Sequence, residues 1–424
     1  MNTTTVPLPG PRAAAKHTIP ASACRVLKLL EQLPRGQLDL QLPDGQVRRL
    51  PAEQAAAADA DASCMLHTWN ALERCLKSGD IGWAEGYMAG EWDSPDLAAL
   101  LRLGIDNRNH VQRLVYGSWW GQLGYRLRHW LQRNTRAGSA RNIHAHYDLG
   151  NDFYRLWLDP GMSYSAAWFE GRQGDALRQA DLQAAQGAKL RRTLAETRLQ
   201  PGQRLLEIGC GWGGLAEMAA RDFGARVTGV TLSREQLLWG QQRMQDAGLS
   251  AQVDLLYQDY RDLPALHAAQ PFDAIVSIEM FEAVGQAYWR GYFKTLHDCL
   301  KPGGRACIQT ITLHEDLFAR YQHSTDFIQQ YIFPGGMLPS ISAFEEQARS
   351  AGLVVEKRMA FGGDYAETLR RWRHAFEDTL DTVRAQGFDE RFIRIWRFYL
   401  AYCEAAFDTG NTDVVQFTLC KPLP

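Results

Sequence analysis

Seven short apolar runs, separated by stretches of helical periodicity, fill the sequence beyond about Asn142 and limit its fold more than any other feature. They read RLLEIG, RVTGVTL, DLLYQD, DAIVSIE, RACIQTITL, LVVEKRMA and DVVQFTLC. Strands alternating with helices predict an α/β domain with a mostly parallel sheet covered by helices.

The chain is 424 residues long, more than one core usually fills, so a second domain is expected. Residues 1–20 carry four prolines and little apolar content, and read as a mobile tail. From 21 to 125 the apolar spacing is mostly helical, with DSPD marking the start of LAALLRL, which predicts a small helical domain. A basic linker, 126–142, leads into the α/β domain, 143–424.

Around that linker the charge is lopsided. Arg102, Arg108, Arg113, Arg126, Arg128, Arg133, Arg136 and Arg141 face one acid, Asp106, with Tyr116, Trp119, Trp120, Tyr125 and Trp130 interleaved. Such a run is by default a solvated helix face. The alternative is a surface for anionic membranes, since arginine attracts their head groups while Trp and Tyr settle at the interface. Nucleic acid is a third option that nothing else supports, and the net charge of −2 gives no global pull toward it.

The eight cysteines are scattered with no CxxC pair and no zinc-site spacing, which suits a reducing cytosol without a metal. No window reaches the ~18 consecutive apolar residues of a spanning helix, and the N-terminus lacks the apolar core of a secretory signal. The expectation is a cytoplasmic protein, peripheral on the inner face of the membrane.

LLEIGCGWGGL, 205–215, is a strand with Glu207 near its end, entering a glycine-rich turn that opens a helix. Such turns let a ligand approach the backbone closely. A dinucleotide site would normally end the next strand with an acid, but Thr231 stands there. S-adenosylmethionine, which has no pyrophosphate, is better supported, with Glu207 serving its charged methionine end and Asp259 near its adenine.

Several strings then match one family in order: HYDLGNDFY, MSYSAAWF, LLEIGCGWGGLA, GVTLSREQ, QDYRDL, FDAIVSIEMFEAVG, LKPGG, YIFPGGMLPS and FGGDYAETLRRW. The chain resembles the cyclopropane-fatty-acyl-phospholipid synthases from about residue 143 to its C-terminus, and GDIGWAEGYMAGEWDSPDL looks like that family's N-terminal domain. The resemblance implies a doubly wound class I methyltransferase sheet with an antiparallel last strand, which the last two runs fit with the helical stretch 364–408 between them, and a domain at 21–125 that binds lipid. It implies transfer of a methyl group from S-adenosylmethionine to the cis double bond of an unsaturated phospholipid acyl chain, closing to a cyclopropane ring. A homodimer is common among members, but nothing in this sequence argues for one independently.

By the same resemblance Tyr147, Tyr164, Ser165, Glu207, Gly209, Gly211, Gly213, Thr231, Leu232, Gln236, Gln258 and Asp259 hold the cofactor. The proton released on ring closure is expected to go to a bound bicarbonate held by Glu282 and Tyr365, with backbone groups near Ala166 and Ile311 and the side chain of Gln309 around it. That would explain Glu282 in SIEMFEAVG, an acid among Met280, Phe281 and Val284 that is otherwise a solvated turn residue. Phe281, Trp168, Tyr331 and Phe333 are expected to keep the site dry. Gln309 stands where members carry His, Ala283 where many carry a second His, and Ala166 where many carry Cys, so a branched methyl or methylene product stays open. Methylation of a soluble small molecule, and lipid binding by a decayed site, are the remaining readings.

Overall fold

The computed structural model describes residues 19–51, 61–110 and 149–424. All seven apolar runs form strands of one sheet: β5 (Arg204–Ile208), β6 (Arg226–Thr231), β7 (Val253–Tyr257), β8 (Phe272–Ile278), β9 (Leu300–Leu313), β10 (Val354–Ala360) and β11 (Thr412–Cys420). Their spatial order is β10-β11-β9-β8-β5-β6-β7. Neighbours from β9 to β7 run parallel, while β11 pairs antiparallel with both β9 and β10. Crossovers lie to one side of β5 through β6 and to the other through β8, so the carboxyl ends of β5 and β8 open the crevice where such sheets take their ligands.

The sheet is sealed by two apolar layers. Leu206, Ile208, Ile275, Ile308 and Phe417 face one side with Phe281, Phe293 and Phe344, and Leu205, Val227, Ala274 and Val276 face the other with Leu215 and Ala219. Between β10 and β11 the chain leaves the sheet and forms the long helices Gly362–Asp378 and Glu390–Asp408.

The N-terminal unit departs from its expected helical character. It has the helices Ala21–Leu30, Asn70–Met88 and Leu97–Asp106, but also a four-stranded sheet of β1 (Leu38–Gln41), β2 (Val47–Leu50), β3 (Ala62–Leu66) and β4 (Trp92–Asp93), ordered β2-β1-β3-β4. These strands are two to five residues long, too short to outweigh the helical spacing around them. Alternation sets their faces: Leu38, Leu40, Ala62, Cys64 and Leu66 are buried, and the residues between them are half-buried.

This unit packs on the two long helices, with which it shares one continuous core. Trp92 stacks on Trp83 at 4.1 Å between ring centres, and Tyr87 lies 5.8 Å from Phe398. Arg394 fixes the seam by donating to the Trp92 carbonyl at 2.9 Å and to Asp93 at 2.6 Å. Among the described residues no helix is long and apolar enough to cross a membrane.

Candidate active site

Two cavities meet above the carboxyl ends of β5, β6 and β8. The smaller, about 180 Å³, is walled by Glu207 near the end of β5, by Gly209 and Gly211 in the turn that follows, and by Thr231, Leu232, Gln236 and Gln258 from the β6 and β7 ends. Tyr164 and Ser165 close it from the opposite side. Gly209 holds φ of 83°, and a Cβ there would meet Met280 Cγ at 2.8 Å, so only glycine lets this turn pass beneath the β8 loop.

Glu207 is 5% exposed, and its Oε2 has no hydrogen-bond partner. Burial pushes its carboxyl up to about 8, against the fields of Arg243 and Lys189. A buried acid with an open lone pair on a ligand cavity fits a cationic donor, such as the ammonium of a methionine moiety. The residues therefore suit S-adenosylmethionine. Thr231 and Gln236 are preset by a mutual hydrogen bond of 3.1 Å, and Trp212 is pinned from above by donating to Asn151 at 2.7 Å.

Three cofactor expectations fall elsewhere. Gly213 does not line the cavity; its φ of 82° and close approach to Gly240 and Leu255 seat the following helix. Asp259 does not line the cavity either; it accepts from Arg261 Nε at 2.8 Å and caps the short turn that follows. Tyr147 lies outside the described residues, as do the arginines of the basic segment from Arg113 onward. Of the two arginines inside, Arg102 is paired with Asp408 at 2.5 Å.

The larger cavity, about 540 Å³, runs between the N-terminal unit and the catalytic domain. Leu29, Leu40, Leu72, Leu76 and Leu101 supply one wall, and Ile328, Phe333, Leu369 and Phe407 the other. Among the described residues, only Tyr164, Glu279 and Ala283 line both cavities. Of the four aromatics expected to keep the site dry, Phe333 does line this cavity. Phe281 is packed in the core beneath with Trp289 and Phe344, Tyr331 donates to Glu85 at 2.6 Å, and the Arg192 guanidinium lies over the Trp168 ring.

Where the cavities meet, the expected anion-binding groups have come together, but around a carboxylate of the chain itself. Glu279 Oε1 accepts from Ala166 N at 2.8 Å and Gln309 Nε2 at 2.7 Å, and Glu279 Oε2 accepts from Tyr365 OH at 2.7 Å. Ile311 N donates to Glu282 Oε1 at 2.5 Å, and Thr310 donates to the same oxygen at 3.0 Å. Every donor expected for bicarbonate is thus engaged by Glu279 or Glu282, and the residues present do not fit that anion. Glu282 is correspondingly a partner of the backbone at Ile311, with its Oε2 buried and unpaired.

Burial pushes Glu282 up to about 8, helped by the charge of Glu279. Glu279 is raised too, by burial, while the nearby Lys189 and its three donors pull it back down. Lys189 is fully buried, donates to Ser165 Oγ at 2.5 Å and is lowered to about 8. Sequence reasoning missed Glu279 and Lys189. Glu279 had a signal, an acid closing the run DAIVSI before an apolar residue; Lys189, on the helix Leu182–Glu196, had none.

The family model described as mycolic acid cyclopropane synthetase matches residues 134–417. Tuberculostearic acid methyltransferase UfaA1 of Mycobacterium tuberculosis is 40% identical over 378 residues, 87% of this chain and 86% of that protein. The cyclopropane-fatty-acyl-phospholipid synthase of Escherichia coli K12 is 34% identical over 396 residues, 90% of this chain and 96% of that one. Among solved structures, mycolic acid cyclopropane synthase CmaA1 complexed with SAH and CTAB superposes with a TM-score of 0.59 at 34% identity, covering 66% of this chain and 97% of that one. With the strand order, the glycine turn and the paired cavities, these likenesses place the chain in the mycolic acid cyclopropane synthetase family of S-adenosylmethionine-dependent methyltransferases.

Proposed function

We propose that the protein transfers a methyl group from S-adenosylmethionine to the cis double bond of an unsaturated acyl chain of a membrane phospholipid and closes the product to a cyclopropane ring. The observation that carries this reading is the junction of a small polar cavity with a long apolar one at Tyr164, Glu279 and Ala283. A soluble small substrate would have no use for a leucine-lined space of about 540 Å³.

When bound, the cofactor supplies an electrophilic methyl group that a plain alkene can attack. Glu207 and the Gly209–Gly211 turn hold its polar end. The apolar cavity places the acyl double bond at the junction and excludes water, which would otherwise trap the carbocation as an alcohol. Tyr164, hydrogen-bonded to Tyr399 at 2.8 Å, and Phe333 offer ring faces to the cation, each worth about 0.5–2 kcal/mol in favourable geometry. Loss of a proton from the new methyl then closes the ring.

A second reading, a branched methyl product, is favoured by the 40% identity to a protein named as a tuberculostearic acid methyltransferase. A trideuteromethyl donor with vesicles of unsaturated phospholipid separates the two. A ring keeps two of the three deuterium atoms and resists mild hydrogenation; a methyl-branched alkene, formed when the cation loses a proton from the chain, keeps all three, and a methylene branch, formed by a hydride shift and loss of a methyl proton, keeps two but is reduced by mild hydrogenation. Absence of label from every acyl chain would contradict both readings. For the membrane partner, binding to anionic vesicles should weaken with salt, since the attraction is screened over ~10 Å at about 0.1 M; binding indifferent to salt and lipid charge would rule out an electrostatic surface.

A further inference from the structure

Glu279 sits just past β8 with φ of 48°, a left-handed conformation that costs a non-glycine residue of order 1–3 kcal/mol and persists only where its surroundings enforce it. Its backbone N donates to the Gln309 carbonyl at 2.8 Å, which locks the peptide and aims the side chain at the junction of the cavities. Three donors on three other segments converge on the carboxylate. Each is itself fixed: Gln309 Oε1 accepts from Gln416 Nε2 at 2.9 Å, which turns the amide's donor side to Glu279, and Tyr365 and Ala166 are buried. Gln416 is held in turn by Thr193 at 2.9 Å.

We propose that Glu279 is the base that takes the proton from the transferred methyl group, so that the reaction needs no bound bicarbonate. The proposal rests on the acyl-chain reading above. In the balanced step, the alkene carbon bonds to the methyl carbon as the methyl–sulfur bond breaks, with its electron pair leaving on S-adenosylhomocysteine. A cation remains on the neighbouring carbon. Glu279 then takes one methyl hydrogen as a proton, and the freed C–H pair forms the third ring bond. The proton returns to solvent after release of product.

Two carboxylates three residues apart divide the labour. Glu279 is raised by burial, but its three donors and the nearby Lys189 charge all favour its anion. Glu282, with one buried oxygen unpaired, holds a proton at neutral pH. Glu279 lines both cavities, whereas Glu282 lines only the apolar one.

The test uses the full-length protein, unsaturated phospholipid vesicles and labelled methyl donor, in buffer freed of carbon dioxide and in the same buffer with bicarbonate added. The wild type should run at the same rate in both. Glu279→Gln should lose roughly 100- to 10,000-fold in acyl labelling, the usual worth of a general base, while still binding S-adenosylhomocysteine. Glu279→Gly, which frees the three donors, should be inactive without bicarbonate and recover when it is added. A wild type that stops in carbon-dioxide-free buffer and restarts with bicarbonate overturns the proposal even if no variant folds, as does a Glu279→Gln enzyme at full rate. If the wild type labels no acyl chain under either condition, it is the acyl-chain reading that fails, and the base assignment fails with it.

Discussion

The cofactor cavity takes much of its wall from one continuous strand–turn–helix, Glu207 to Leu215, whereas the donors around Glu279 come from residues 166, 309 and 365 on three separate elements. The first region is a local solution, because a buried acid, a turn of glycines and a helix start are all set by neighbours in sequence. The second exists only once β8, β9, the Ala166 loop and the helix Gly362–Asp378 have packed. If that contrast is right, the two ends of the site should fail separately: damage to the first should appear in cofactor affinity, damage to the second in turnover.

The largest separation is expected for Tyr365→Phe, which removes one of the three hydrogen bonds to the Glu279 carboxylate. A hydrogen bond to a charged group is worth about 1.5–3 kcal/mol, so turnover should fall roughly 10- to 100-fold. Because the anion loses a donor, the pH needed for full activity should also rise, and titration calorimetry should find cofactor affinity unchanged. An unshifted pH profile would reduce Tyr365 to a packing role.

Gly209→Ala tests the other end. It adds about 1–2 kcal/mol of left-handed strain and a Cβ 2.8 Å from Met280 Cγ, so thermal stability and cofactor affinity should both drop. Glu207→Gln is milder, weakening cofactor affinity by about tenfold, or ~1.4 kcal/mol, with near-normal turnover at saturation. Should Glu207→Gln instead spare affinity and lower saturated turnover, the two regions are not separable in this way.

The smallest effect is a slope. Glu282 titrates at 4.5 when unfolded and is held at about 8 when folded, so between those values the folded protein keeps a proton that the unfolded chain releases. Its contribution is full below about 4.5 and is lost as pH rises toward 8. Glu282→Gln should flatten the decline of stability across that window in denaturant titrations. An unchanged slope would mean that the proton sits elsewhere in the pair.

The same contrast governs what could be read in advance. Seven strands of the large sheet were legible because each is an apolar run long enough to signal burial, and the glycine turn because its parts are adjacent. β1 to β4 were not, being short runs within helical spacing. Spacing alone gave no sign that Arg261, two residues on, would pair with the Asp259 carboxylate. Phe281, Trp168 and Tyr331 were put at the site by character alone, which cannot tell a cavity wall from the core, where Phe281 packs, or from the contacts that Trp168 and Tyr331 make with Arg192 and Glu85. Ala166, Gln309 and Tyr365 were gathered correctly as one cluster, but their common partner, Glu279, is revealed only by the direction its backbone gives the side chain.

The most direct check is a crystal structure of the protein with S-adenosylhomocysteine, grown in bicarbonate. The Glu279 carboxylate should stand within hydrogen-bond distance of Ala166 N, Gln309 and Tyr365, with no other anion among them. A Glu279 side chain swung away, and a planar three-oxygen density in its place on the same three donors, would contradict the internal base.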